Sequence, residues 1–342
     1  MAVATGAAEA RAPMTEAAIE IRGLRKQYGR ITALDDLNVT LPRAAVGLLG
    51  ANGAGKTTLL RVLLGLTPPT RGSAHVLGRD TRTQSIQIRE RVGFMPESDV
   101  LPSSTTAADF VGHMAQLSGL PARAARQRAA DVLYQVGLDE ERYRLIQGLS
   151  TGMKQRVKLA QAIVHDPDIV FLDEPTIGMD PQGRDDMLAL IDRIYRGLGI
   201  AVVVSSHLLE DIERVCDYVM IIDAGKLVLA QPIGHKGTEP GDLRVRVTGN
   251  PDVFIQHLAA AGVQAAHAGL HEMTTSDELI VRLADERVYD IVRDTAADLG
   301  MGLRSLRTTA RSLEDIYLGQ VHATTGEYLE PNQTTEGPQH GA

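Results

Sequence analysis

Hydrophobic positions along this chain come in short bursts separated by turns. After an Ala-rich stretch over residues 1–17, apolar side chains gather in Ile19–Leu24, Leu37–Leu41 and Ala45–Leu49, lengths that predict strands. A glycine-rich loop follows, then a helical pattern from Lys56 to Leu66. The rhythm is helical again over about Ala107–Gln147, with Ala- and Arg-rich stretches such as Ala122–Val136. Two continuous apolar runs, Ile169–Leu172 and Ile200–Ser205, read as central parallel strands covered on both faces. The helical pattern Gln182–Leu198 between them completes a βαβ unit.

A boundary is expected near Gln231–Asp242, where Pro232, Gly234, Gly237, Pro240 and Gly241 crowd together. Beyond it, Leu243–Thr248 alternates like a strand and Pro251–Ala261 reads as a helix with Pro at its start. Val263–Ala268, Glu278–Leu283 and Met301–Arg307 predict strands, and Glu286–Leu299 a helix. The order βαββαβ is that of a ferredoxin-like split unit. The expected plan is a flexible tail (1–17), an α/β domain (18–232) with a helical subdomain over about 98–150, a linker (233–241), a small α+β domain (242–320) and a disordered tail (321–342).

Composition narrows the function classes. The 342 residues suit about two domains. A net charge of −8 argues against a general nucleic-acid binder, which needs a basic surface, so no nucleic-acid partner is expected. The single cysteine, Cys216, cannot form an intrachain disulfide and fits a reducing compartment. The start of the chain lacks the basic-then-apolar order of a signal peptide. No apolar run approaches the ~18 residues that span a bilayer, so membrane attachment is expected only through a partner. With four Phe, eight Tyr and no Trp, an aromatic with a task stands out.

Gly50-Ala51-Asn52-Gly53-Ala54-Gly55-Lys56-Thr57 fits G-x-x-x-x-G-K-[ST], between an apolar strand and a helical pattern. Glycines let backbone N–H groups converge on phosphate oxygens, and a helix N-terminus adds partial positive charge. Lys56 is expected to reach the β and γ phosphates, Thr57 to offer its hydroxyl to Mg²⁺, and Thr58 to join the ATP-binding set. The strand Ile169–Leu172 ends in Asp173 and Glu174. Asp173 suits the Mg²⁺ shell, and Glu174 suits the orientation or deprotonation of an attacking water. His207 follows the second buried run, in Ser205-Ser206-His207, where strand ends form a binding crevice.

Leu149-Ser150-Thr151-Gly152-Met153-Lys154-Gln155-Arg156 precedes Asp173. With the phosphate loop, Asp173-Glu174 and His207, it resembles the nucleotide-binding subunit of ABC transporters over about residues 18–232. That resemblance implies a P-loop ATPase with a helical subdomain, working as a head-to-tail homo- or heterodimer with ATP and Mg²⁺ between the subunits. It implies that Ser150, Thr151 and Gly152 grip the partner's ATP in trans, that Asp180 lies in a loop crossing the dimer, and that Tyr28 stacks on adenine. Glu97 stands where the family often has Gln; its carboxylate is a further candidate for the Mg²⁺ shell. Thr151 and Met153-Lys154 resemble the bacterial export branch, whose polytopic permease subunits are separate chains. The implied place is the cytoplasmic face of the membrane. Val100 and Leu101 would then border a groove for a membrane subunit, with Phe94 beside it.

The same resemblance leaves two other readings: an importer ATPase with a ligand-sensing C-terminal domain, or a soluble ABC protein acting on ribosomes or DNA. Ser312–Leu318 resembles the ending of C-terminal extensions in the export branch, which implies a regulatory or dimer-stabilising small domain. His267 and His271 are expected to be solvated loop residues, because Gly269 interrupts any helix between them. The Arg-rich stretch Ala122–Ala130 is expected to be a solvated helix face.

Overall fold

The computed structural model describes residues 17–98, 101–233, 242–267, 278–283 and 287–309. The chain divides into two compact units, Met1–Ile233 and Gly234–Ala342. The first opens with β1 (Ala17–Tyr28), β2 (Ile31–Pro42) and β3 (Ala45–Leu49), then α1 (Lys56–Leu63). Next come β4 (Arg71–Val76), β5 (Arg79–Asp80), α2 (Ser85–Arg89) and β6 (Val92–Met95). Three helices follow, α3 (Ala107–Leu117), α4 (Ala122–Gln135) and α5 (Thr151–Ile163). The unit closes with β7 (Ile169–Asp173), α6 (Pro181–Asp192), β8 (Ala201–Ser206), α7 (Leu209–Val215), β9 (Tyr218–Asp223) and β10 (Lys226–Pro232).

Two sheets result. An antiparallel one runs β2-β1-β4-β5, and a six-stranded one runs β10-β9-β3-β8-β7-β6. In the larger sheet all neighbours are parallel except the edge strand β10. Every residue of β3, β7 and β8 is buried, which is why these runs read as continuously apolar rather than alternating. One cluster joins the two sheets and α1, from Ile19, Leu24 and Leu34 to Leu59, Phe171 and Val203. Phe94 is half-buried and packs against that cluster.

The structure departs from the sequence pattern in specific places. β1 and β2 are far longer than their apolar cores, and their pairing shifts register between Ile21 and Leu24 and again before Lys26. Each irregularity swaps the face that a position presents, so simple alternation fades along the hairpin. The helix after the phosphate loop stops at Leu63 rather than Leu66. The long helical region from Ala107 breaks into α3, α4 and two 3₁₀ turns, Glu140–Tyr143 and Ile146–Gly148. Gly119 (φ 97°) and Gly137 (φ 76°) end α3 and α4 in left-handed conformations. β4, β5, α2, α7, β9 and β10 were not marked by the pattern. On α4, Arg123 and Arg126 are exposed, as a solvated face would have them, whereas Arg128 is half-buried and donates to the Val164 carbonyl.

The second unit comprises β11 (Asp242–Val247), α8 (Pro251–Ala260), β12 (Ala265–His267), β13 (Glu278–Val281), α9 (Arg287–Asp298) and β14 (Leu303–Thr309). Its antiparallel sheet runs β12-β13-β11-β14, the arrangement of a βαββαβ split unit. Asn250 caps α8, accepting from the Asp252 amide, with Pro251 at the first helical position. Leu243, Val245, Phe254, Leu258, Leu279, Val281 and Val292 form its core. His267 Nε2 lies 2.8 Å from Asp252. His271, Val100 and Ser312–Leu318 fall outside the described residues; Leu101 is half-buried. Among the described residues no helix is long and apolar enough to cross a membrane.

Candidate functional site

The site forms where β3, β7 and β8 end. β8 lies between the other two, so the loop after β3 and the acids after β7 meet across the end of β8. The loop 50–55 opens directly into α1, and its backbone explains the glycines. Gly53 and Gly55 have φ of 85° and 107°, a region that costs any L-residue strain. A Cβ on Gly50 would stand 2.4 Å from the Ile222 carbonyl oxygen, and one on Gly55 2.6 Å from that of Ala33. Nothing lies within 4 Å of a Cβ on Gly53, where the loop faces open space. Asn52 is exposed, Ala54 is buried and Thr58 is half-buried.

Some helix starts carry a side-chain cap and others do not. α5 is capped by Ser150 Oγ, which accepts from the Met153 amide, and α6 by Asp180, which accepts from the Gly183 amide. α1 has no side-chain cap, and neither have α2, α4 and α7, so what sets α1 apart is the glycine loop that leads into it. The first N–H groups of α1 are left for another acceptor, the arrangement that binds phosphate.

Lys56 is 6% exposed. Its ammonium donates to the Gly50 carbonyl at 2.6 Å and the Ala51 carbonyl at 3.3 Å, and lies 3.2 Å from Glu174 Oε1. Thr57 Oγ1 donates to Asp173 Oδ2 at 2.9 Å. Asp173 and Glu174 are both buried. Glu174 Oε2 lies 2.9 Å from His207 Nδ1, so the two sequence-predicted catalytic side chains touch. Glu174 Oε1 is buried and makes no hydrogen bond, only the ion pair with Lys56. Its backbone is left-handed, with φ of 48°, a cost of about 1–2 kcal/mol that the surrounding contacts must hold in place.

Sequence reasoning missed the residue at the centre. Ser205, fully buried at the end of β8, donates to Asp173 Oδ1 at 2.6 Å and accepts from the Glu174 amide at 2.9 Å. A hydroxyl closing a buried apolar strand beside His207 was the available signal.

These residues fit a nucleotide phosphate and a divalent cation. The loop offers uncapped N–H groups and a buried ammonium, and Thr57 and Asp173 bring two hard oxygen donors together. Among the described residues no group of three or more His, Cys, Asp or Glu could form a metal cage. Mg²⁺ needs none, since it binds through one or two protein oxygens plus substrate phosphates and water.

Other expected site residues lie apart from this centre. Ser150, Thr151, Gly152, Gly178 and Asp180 line a second cleft of about 630 Å³ with Arg156. Tyr28 is exposed at the end of β1, and Lys26 Nζ lies 4.7 Å from its ring centre. The Glu97 side chain is exposed, while its carbonyl accepts from the buried ammonium of Lys158 at 2.9 Å. The structure brings Glu97 to α5 through its backbone and shows no contact of its carboxylate with Asp173 or Thr57.

Residues 34–177 match the family described as ABC transporter. The Nod factor export ATP-binding protein I of Ralstonia nicotianae is 36% identical over 307 residues, covering 88% of this chain and 92% of that protein. The linearmycin resistance ATP-binding protein LnrL of Bacillus subtilis is 30% identical, covering 90% of this chain and 99% of that protein. Among solved structures, cbiO1 from Clostridium perfringens, part of the ABC transporter complex cbiONQ, superposes with a TM-score of 0.58. It is 26% identical and covers 63% of this chain and 88% of that chain. Since the first two relatives are matched over nearly their whole length, the chain belongs to the ABC transporter family, as one of its ATP-hydrolysing, nucleotide-binding subunits.

Proposed function

We propose that this chain powers export through separate membrane subunits, closing as a dimer on two ATP molecules and reopening on hydrolysis. The observation that carries the hydrolytic part is the contact of Glu174 with both Lys56 and His207 at the mouth of the phosphate loop. The loop residues Gly50, Asn52, Gly53, Ala54, Gly55, Lys56, Thr57 and Thr58 bind the phosphates by N–H donors, the Lys56 charge and hydroxyls. Glu174 takes up a proton from, or orients, the attacking water. His207 holds that carboxylate on the face away from Lys56. Thr57 and Asp173 would hold Mg²⁺, which when bound would supply positive charge against the transferring phosphoryl group. Glu97, exposed after the neighbouring strand β6, would meet Mg²⁺ or its waters with its carboxylate.

Ser150, Thr151, Gly152 and Asp180 line one cleft, which suits a surface that receives the nucleotide held by a second subunit. Tyr28 offers the ring face opposite Lys26 to adenine. The Ralstonia relative is a Nod factor export protein, and others serve drug resistance, including a daunorubicin resistance ATP-binding protein of Streptomyces coeruleorubidus. Together with the Thr151 and Met153-Lys154 spellings, that favours export over import. The site of work is the cytoplasmic face of the membrane, reached through polytopic permease subunits.

Glu174→Gln tests the hydrolytic reading. The variant keeps ATP binding, loses turnover by about 10²–10⁴-fold, and accumulates a dimer in the presence of ATP. Steady-state hydrolysis and sedimentation read the two effects. Turnover at the wild-type level would remove Glu174 from the mechanism.

A further inference from the structure

Asp211 is 1% exposed, and the hydrolytic roles above give it no task. It lies in the first turn of α7, the helix that starts two residues after His207. Its Oδ2 accepts from Thr176 Oγ1 at 2.9 Å, and Thr176 is itself buried, two residues after Glu174. Its Oδ1 accepts from Arg184 Nε at 2.5 Å. Arg184 belongs to α6, the helix capped by Asp180, and also pairs with Glu210 at 3.4 Å. A second pair, Arg214 with Asp185, ties the same two helices.

These contacts converge on the turn that carries Glu174. That turn is short: the Ile177 amide donates to the Glu174 carbonyl and the Met179 amide to the Thr176 carbonyl. Glu174 itself sits in the left-handed region. A backbone held there needs anchors on both sides. The Ser205 hydroxyl supplies one, through the Glu174 amide. The Asp211–Thr176 bond supplies the other, and it springs from the helix whose start sets His207. A buried carboxylate is costly unless paired, and Asp211 is held by two partners, Thr176 on one side and Arg184 on the other.

We propose that Asp211 is a positioning residue for ATP hydrolysis: by bonding Thr176 and Arg184 it fixes the Glu174 turn, the His207 segment and α6 as one piece. Its hydrogen bonds go to Thr176 and Arg184, not to the phosphate loop. This rests on the assignment of Glu174 as the hydrolytic carboxylate. Displacing a reacting group by about 1 Å costs on the order of 100-fold in rate while leaving substrate binding largely intact.

The test uses the full chain with Mg²⁺ and ATP, measuring kcat, KM, ATP affinity by calorimetry, and the thermal midpoint. Thr176→Val removes the hydroxyl at nearly constant volume and should lower kcat by about 10- to 100-fold with KM within about two-fold. Thr176→Ser keeps the hydroxyl and should restore kcat. Asp211→Ala, which loses the Thr176 and Arg184 bonds together, should lower kcat at least as far as Thr176→Val, and adding Thr176→Val to it should cost little more, as residues acting through one bond are non-additive. The proposal is overturned if Thr176→Val keeps kcat within about two-fold, or if kcat, ATP affinity and thermal midpoint fall together and Thr176→Ser rescues none of them. Glu174→Gln run alongside separates the failures. Normal turnover in that variant removes the underlying assignment, whereas an inactive Glu174→Gln with a fully active Thr176→Val removes only the role of Asp211.

Discussion

The two units of this chain treat buried polarity in opposite ways. In residues 17–233 the interior holds Lys56, Asp173, Glu174, Ser205, Asp211 and Lys158, each with a partner. Among the described residues of 242–309, the buried side chains are all apolar. Burying a charge is costly even when it is paired. The first unit bears that cost at the ends of three adjacent strands, where phosphate chemistry needs fixed charge. The second unit is a small sheet with two helices around an apolar core. The difference locates function more sharply than the family likeness does, since a fold by itself does not specify a site.

The largest expected effect breaks the comparison from the apolar side. Phe254→Ala empties the centre of the second unit and should destabilise it by about 3–5 kcal/mol. Calorimetry should show one transition moving down, with ATP turnover unchanged at temperatures where that unit is still folded. A fall in turnover there would show that the small unit supports the ATPase. From the polar side, Ser205→Ala strands two buried groups at once, Asp173 Oδ1 and the Glu174 amide. It should cost about 1–3 kcal/mol in chemical unfolding and lower turnover as well. A variant as stable and as active as the parent would mean that Ser205 positions nothing.

The smallest effect is a pH dependence. Burial depresses the His165 pKa below its usual 6.5, against the opposing pull of the Val92 carbonyl. The folded protein therefore keeps this imidazole neutral while the unfolded chain takes up a proton. The sign is that stability is fully present above about pH 6.5 and declines as pH falls toward the depressed folded value. Denaturation midpoints of the parent and of His165→Asn should diverge below that pH, with the parent losing more. Parallel curves would show that His165 stays as protonated when folded as when unfolded.

Residues whose chemistry depends on local spacing were legible in the sequence. The phosphate loop, Asp173-Glu174 and His207 each follow a buried strand, and continuous apolar runs mark such strands. The βαββαβ order was legible for a similar reason, because one-sided strands and an amphipathic helix keep clean periods. The hairpin β1–β2 was not, because its register shifts scramble the alternation. Ser205 and Asp211 were not, because their importance lies in neighbours 27 to 35 positions away in sequence. Only the strand order, with β8 seated between β3 and β7, brings those neighbours together.

Cys216 closes α7 and leads into β9, next to the helix that carries Asp211. It is the only thiol in the chain, it is buried, and burial pushes its pKa up. Alkylating reagents attack thiolates, so the native protein resists them. The rate at which a maleimide consumes this thiol therefore clocks the opening of the α7–β9 junction, without any introduced label. A cysteine added at an exposed position would react far faster and carry a dye selectively. One buried sulfur thus makes the chain its own opening sensor and a clean host for single-site labelling.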